Sequence, residues 1–286
     1  MDERTSGSSY WDSEILQCQS TPSDSTWYSY MEEVYGSLIA KAREGPIAGP
    51  SLKTDLYEEA RGSRSPLWHL PSPRVGVDLS PEIVSAARRN CHCKSHEGEF
   101  LVADVRNLPF PDAYFGCVLS GSTLDHFEQR DEILVSLREL ARVLAPGGVL
   151  ILTLDNPHNP LLYLRSRFGR LSGLRLLPYF IGATLTRRQG VAALTAAGLQ
   201  VRSVRAVSHA PRDPAMRFAR LRDRVPNRRG TKRFVNALMR FEALERAPSR
   251  WRTGYYLAFE AVKPVPADLP ATKHMIDASS LGRSAS

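Results

Sequence analysis

The stretch Arg74-Val75-Gly76-Val77-Asp78-Leu79-Ser80-Pro81-Glu82-Ile83 decides the fold. Arg74 to Asp78 carries a Val-Gly-Val run of the kind that fills a short buried strand. Ser80 then offers a side-chain oxygen for an N-cap, and Pro81 brings the fixed φ that suits a first helical position. The chain therefore passes from strand to helix within two residues, which is half of a βαβ unit. Open parallel sheets take ligands outside the carboxyl ends of their strands. Asp78 stands at such an end, where a carboxylate can accept both hydroxyls of a ribose. Ser80 already fills the capping position, so Asp78 is not needed there.

The same alternation extends in both directions. Upstream, Ser51 to Thr54 reads as a first strand, and Asp55 with Glu58 fits a capping box for the helix that follows. Downstream, Glu99 to Asp104 and Phe115 to Ser120 read as the third and fourth strands. Glu128 to Leu144 forms an amphipathic helix, which Pro146-Gly147-Gly148 is expected to stop before a fifth strand at Val149 to Leu154. Thr186 to Ala197 is a helix ended by Gly198, and Leu199–Val207 and Gly254–Val262 are the last two strands. Alternating strands and helices predict an α/β fold with a parallel sheet covered on both faces. Asp104 ends the third strand. Its carboxylate can accept from an exocyclic adenine amine while the Val105 N–H donates to a ring nitrogen, and Leu79 can pack on the base.

Outside this frame, residues 1–25 are rich in Ser, Thr and Asp and are expected to be poorly ordered. Residues 26–50 hold a helix (Trp27, Tyr28, Tyr30, Met31, Val34, Tyr35, Leu38, Ile39) that either covers the core or roofs the site. The main domain runs over 51–263, with 156–185 and 209–250 as lid or substrate insertions, and 264–286 is a mobile tail. Within the first insertion, Leu161 to Thr184 is apolar with interspersed arginines. It is too short and too charged to span a bilayer, which leaves a lid, a packed insertion or a surface resting on a membrane.

The net charge is +8, and it is unevenly spread: from Asn156 to Lys263 there are 22 Lys or Arg against five Asp or Glu. Such a surface could attract anionic lipid, nucleic acid or an acidic substrate, or be simply a solvated face. The basic run Arg217–Arg233 lacks interleaved aromatics beyond Phe218 and Phe234, so a nucleic-acid partner is not expected. Met1-Asp2-Glu3-Arg4 does not open a signal-peptide pattern, and four cysteines do not make a disulfide scaffold, so a cytoplasmic setting is expected. Cys91-His92-Cys93 with His96 has metal-ligand residue types at the wrong spacing, so no metal is expected.

Three stretches carry a family resemblance: Val75–Glu82, Ala103-Asp-Val-Arg-Asn-Leu-Pro-Phe-Pro-Asp112, and Leu140-Ala-Arg-Val-Leu-Ala-Pro-Gly-Gly-Val149. In this order and spacing they resemble consecutive motifs of the class I S-adenosylmethionine-dependent methyltransferases of the type 11 group, over roughly residues 50–262. The resemblance implies a Rossmann-like, seven-stranded, mostly parallel sheet with helices on both faces and the last strand antiparallel. It implies an enzyme that methylates a small-molecule acceptor. By the same resemblance Asp78 matches the ribose-binding acid and Asp104 the adenine-side acid. Ser120 and Gly121 match positions near the methionine part of the cofactor.

One segment departs from the family. A glycine-rich loop is usual after the first strand, and here the chain reads Leu52-Lys-Thr-Asp-Leu-Tyr-Glu-Glu-Ala60. Glycines let a backbone approach a ligand, but this cofactor has no pyrophosphate to cradle. Lys53, Thr54 and Asp55 can hold its amino-acid end by side chains, Lys53 on the carboxylate and Asp55 on the ammonium. The string resembles a subgroup with the same replacement. A non-catalytic module of the same fold is the alternative, as is a methyltransferase acting on a membrane-associated lipid or quinone-like acceptor. A nicotinamide-dependent enzyme is disfavoured because its glycine fingerprint is missing. His126, after the fourth strand, is the candidate base, with Asp125 to orient it, or else a packing residue. His158 and His209 are further candidates. Neither the acceptor nor the oligomeric state is encoded in these motifs.

Overall fold

The computed structural model describes residues 11–13, 15, 25–42, 49–93, 97–164, 182–224 and 227–266. Its strands are β1 (Ser51–Lys53), β2 (Arg74–Asp78), β3 (Glu99–Val102), β4 (Phe115–Gly121), β5 (Leu144–Asp155), β6 (Gln200–Val207) and β7 (Tyr256–Val262). They form one seven-stranded sheet of order β3-β2-β1-β4-β5-β7-β6. The pairs among β1 to β5 are parallel, and β7 is antiparallel to both of its neighbours.

The strands alternate across the sheet as a period of two requires. On β4, Cys117 and Leu119 face one core and Val118 the other; on β5, Val149 and Ile151 oppose Leu150 and Leu152. The first core is closed by α1 (Ser25–Ala42) through Tyr30 and Ile39, and by α3 (Pro81–Cys93) through Ile83 and Ala87. The second is closed by α4 (Arg130–Val143) through Leu137 and Leu140, and by α5 (Arg187–Ala196) through Leu194. Each leucine so buried stabilises the fold by about 1.5–3 kcal/mol. A short α2 (Tyr57–Ala60) follows β1. Helices α6 (Arg212–Asp223) and α7 (Arg228–Met239) occupy the second expected insertion, and the one-turn α8 (Arg250–Thr253) follows at its end. Ala215, Ala219, Val235 and Leu238 from α6 and α7 join the core that α1 closes.

Helix starts follow the sequence signals at α3 and α5. The Ile83 N–H donates to the Ser80 hydroxyl at 3.1 Å, and Thr186 and Gln189 form a reciprocal box at the start of α5. Two signals fail. The Asp55–Glu58 capping box does not form: α2 begins at Tyr57 without a side-chain cap, because Asp55 accepts from the Tyr57 N–H at 2.7 Å and Glu58 turns to Lys53 instead. Pro146-Gly147-Gly148 does not separate α4 from β5 either. The helix ends at Val143, and β5 already starts at Leu144, paired with Phe115.

The three residues are an irregularity within the strand, which Gly147 permits with φ +78° and which is stitched to β7 by the Gly147 N–H on the Lys263 carbonyl at 2.8 Å. Most of 1–25, residues 165–181 of the first insertion, His96 and the tail from 267 lie outside the described residues. Among the described residues no helix is long and apolar enough to cross a membrane.

Candidate active site

Strand β1 is flanked by β2 on one side and β4 on the other, so the order of connection reverses between β1 and β4. In open α/β sheets a ligand crevice lies outside the carboxyl ends of the strands at such a reversal. Lys53, Asp78 and Gly121 end the three strands around it.

The segment after β1 is held by side chains. The Lys53 ammonium, 3% exposed, donates to Glu58 Oε2 at 2.8 Å, to Glu59 Oε2 at 3.0 Å and to the Asp55 carbonyl. Burial works against that charge, but Glu58 and Glu59 more than offset it and hold the ammonium well above the ordinary lysine range. Ser65 donates its hydroxyl to Glu59, and Asn90 donates to the Glu59 and Ala60 carbonyls at 3.1 and 2.7 Å. No residue from Ser51 to Arg61 has a positive φ. The loop therefore needs no glycine for its backbone. The space it needs is made on β2: a Cβ on Gly76 would lie 2.4 Å from Leu56 Cδ2.

Asp78 receives the Leu56 N–H on Oδ2 at 3.0 Å and the Ser80 N–H on Oδ1 at 2.9 Å. It thus ties the loop to the start of α3, and each oxygen keeps acceptor capacity. Burial, reinforced by the neighbouring Asp55, pushes its carboxyl up to about 7. Asp55 is pushed up too, by burial first, against the pull of Lys53. Burial likewise pushes Glu59 up to about 7.

Thr54 turns toward β4, its hydroxyl 3.0 Å from both Ser120 Oγ and Thr123 Oγ1. Gly121 lies under α1, where an added Cβ would stand 3.0 Å from the Tyr35 hydroxyl. That hydroxyl bonds Thr153 Oγ1 at 2.8 Å, and the same Thr153 oxygen accepts the Ser122 N–H at 3.0 Å. Helix α1 is thus both core and roof. Asp104, past the end of β3, is gripped by Arg106 at 2.6–3.0 Å. Partial burial raises its pKa, yet the Arg106 contacts outweigh this and hold it below the usual carboxylate range. Val105 beside it is buried, and Leu79 is half-buried.

His126 is half-buried at the end of a 3-10 turn (Leu124–His126). Asp125 does not orient it by a hydrogen bond: the closest approach is 4.0 Å. The Asp125 carboxylate is instead engaged by the Ser122 hydroxyl and by the Asp155 N–H at 2.9 Å. His126 Nδ1 is buried without a hydrogen-bond partner in the described structure. His158 is exposed. His209 is buried and fixed by Thr253 Oγ1 and the Ala206 carbonyl, each at 2.8 Å, as a structural tie.

Sequence reasoning misses the segment around Trp11. The Trp11 ring lies 4.8 Å from His126 and 6.3 Å from Tyr57, edge to face, and Asp12 accepts from the Ser80 hydroxyl. No periodicity in that Ser- and Asp-rich stretch marks it. Among the described residues no group of three or more His, Cys, Asp or Glu is arranged to hold a metal.

A methyltransferase domain family matches residues 63–152, a span that includes Asp78, Asp104 and the start of β5. The chain is 37% identical over 111 residues to demethylmenaquinone methyltransferase of Thermus thermophilus, covering 38% of this chain and 47% of that protein. It is also 37% identical over 79 residues to the probable tRNA methyltransferase 9B of Mus musculus, covering 27% of this chain and 16% of that protein. The chain thus spans less than half the length of these curated relatives. Among solved structures, the complex of the Haloferax volcanii Trm112 methyltransferase activator with a putative methyltransferase matches with TM-score 0.54 at 19% identity, covering 90% of this chain and 96% of that one. That likeness concerns the fold, and the strand order agrees with it. The chain has the Rossmann-like fold of the class I methyltransferases, and residues 63–152 match a methyltransferase domain family.

Proposed function

We propose that the protein is an S-adenosylmethionine-dependent methyltransferase acting on a small-molecule acceptor in the cytoplasm. The observation that carries this reading is Asp78, a carboxylate with spare acceptor capacity at the end of β2, inside a crevice rich in acid. Asp55, Glu58, Glu59 and Asp78 stand against one buried cation there, Lys53. A ligand bearing an ammonium and a sulfonium against one carboxylate brings net positive charge to this acidic site. When bound, the cofactor supplies a methyl already activated on sulfur, so the chain has mainly to bind, orient and exclude water.

In this reading Asp78 takes the ribose hydroxyls, and Asp104, Val105 and Leu79 surround the base. Thr54, Asp55, Ser120 and Gly121 line the amino-acid end. Lys53 serves that end through the loop it pins, since its three donors are already engaged. His126, half-buried after β4, is the candidate base for the proton that the acceptor loses.

Calorimetric titration with S-adenosylmethionine and S-adenosylhomocysteine tests the reading. Micromolar binding that disappears in Asp78→Ala supports it. No heat with either ligand would leave the non-catalytic alternative standing. A lipid-soluble, quinone-like ring is the acceptor class we favour. The likeness to the Thermus thermophilus relative supports it, and turnover of demethylmenaquinone analogues, with His126→Ala alongside, is its assay.

A further inference from the structure

Helix α6 presents two opposite faces. Ala215 and Ala219 turn inward and join the core closed by α1. Pro214, Arg217, Phe218 and Leu221 fall at i, i+3, i+4 and i+7 and turn outward. Phe218 is 62% exposed and Leu221 56%. Contiguous exposed apolar patches rimmed by polar side chains mark interaction sites on soluble surfaces. Arg217, Arg220 and Arg224 are exposed alongside them, and α7 adds exposed Arg228, Arg229 and Arg233. The stripe borders a shallow depression of about 490 Å³ lined by Asp213, Pro214, Arg217, Phe218 and Leu221.

The ridge also has a definite place relative to the crevice. β6 and β5 are both antiparallel to β7, so they run in the same direction. Val207 therefore ends β6 at the sheet edge where β1, β2 and β4 end, and α6 begins five residues later. The segment leaving β5 at that edge also exposes apolar side chains, Tyr163 at 57% and Leu164 at 50%. Helix α1 links ridge and crevice: Thr26 bonds Asp223 of α6, while Tyr35 rests on Gly121 and Thr153.

We infer that the outward face of α6, with the basic surface of α7, docks the protein on an anionic lipid membrane. Phe218 and Leu221 enter the headgroup–acyl boundary and the arginines contact lipid phosphates, as an interfacial helix with a polar rim does. A nucleic acid would use several flat rings along a groove, and Phe218 is the one ring on this stripe, beside a leucine and a proline. The inference rests on the methyltransferase reading only for its purpose, which is to bring a lipid-soluble acceptor to the crevice edge. Its test needs no cofactor.

The full chain is floated with phosphatidylcholine vesicles with and without phosphatidylglycerol. We expect at least about tenfold stronger partition onto the anionic vesicles, lost at high salt. Phe218→Glu with Leu221→Glu should reduce it about tenfold or more, and Arg217→Gln with Arg224→Gln should remove the preference for anionic lipid. Unchanged thermal midpoints and unchanged far-ultraviolet circular dichroism show that the variants fold. Wild-type protein that stays unbound, or double variants that float equally well, overturns the inference. So does a wild-type dimer, in sedimentation velocity, that the Phe218/Leu221 variant breaks without any vesicle binding, since the stripe would then belong to a second copy. Normal cofactor binding with no flotation rejects the docking alone; flotation without cofactor binding rejects the enzymatic reading alone.

Discussion

Asp78 holds two backbone N–H groups, and its carboxyl is pushed up to about 7 by burial and by Asp55. Two pH effects follow from that one shift. Ribose hydroxyls need a carboxylate to accept them, so cofactor affinity should weaken as the pH falls from about 8 to about 6, and calorimetry across that range reads it. Stability moves the other way. A carboxyl that is raised in the folded state keeps its proton where the unfolded chain, near the ordinary value of about 3.9, has lost it. The penalty of the buried charge therefore grows between about pH 4 and about pH 7, and the unliganded protein should melt at lower temperature as pH rises through that window. Glu59 acts in the same direction. Asp78→Asn should flatten part of the slope in melting temperature and abolish the pH dependence of binding. A variant with the wild-type slope would place the titrating group elsewhere.

The loop between β1 and α2 is the element in which this chain departs from the motif pattern that it otherwise resembles. Lys53→Met leaves Glu58 and Glu59 facing one another without a cation. Breaking a buried pair in this way costs about 3–5 kcal/mol, and urea denaturation should record a loss of that order. Lys53→Met with Glu59→Gln should recover part of it. Gly76→Ala tests the same loop from below, since its methyl would press on Leu56 and on Phe100 at 2.8 Å. Overpacking of that kind costs about 1–3 kcal/mol, and the displaced loop should also weaken S-adenosylhomocysteine binding. Wild-type affinity in a folded Gly76→Ala protein would mean that the loop does not shape the site.

The loop also marks where sequence reading stops. Asp78 and Ser80 were legible because a strand end and an N-cap are local matters, settled within three residues. The Lys53–Glu59 and Asn90–Glu59 contacts were not, because acids one turn apart look the same as a capping box until their tertiary partner is known. Pro146-Gly147-Gly148 misled for the same reason: a helix stop and a strand irregularity share their residues, and pairing with Phe115 and Lys263 decides between them.

At the scale of the whole molecule, the carboxyl edge of the sheet is covered by parts that are remote in sequence. Helix α1 roofs Gly121 through Tyr35, and the segment around Trp11 crosses toward β2 and β4. Ile15 is 1% exposed, and Asp12 bonds Ser80 at the start of α3, so the chain is anchored just after Trp11, whose ring contacts His126 and Tyr57. A covering anchored in this way should govern how fast a ligand leaves the crevice more than how it is recognised. An aromatic edge contact contributes about 0.5–1.5 kcal/mol. If that is lost from the closed state alone, Trp11→Ala should release S-adenosylhomocysteine about two- to tenfold faster, with association and thermal midpoint little changed. Stopped-flow displacement of the bound ligand measures the rate directly. An unchanged dissociation rate in Trp11→Ala would remove the segment from the gate and leave α1 as the roof.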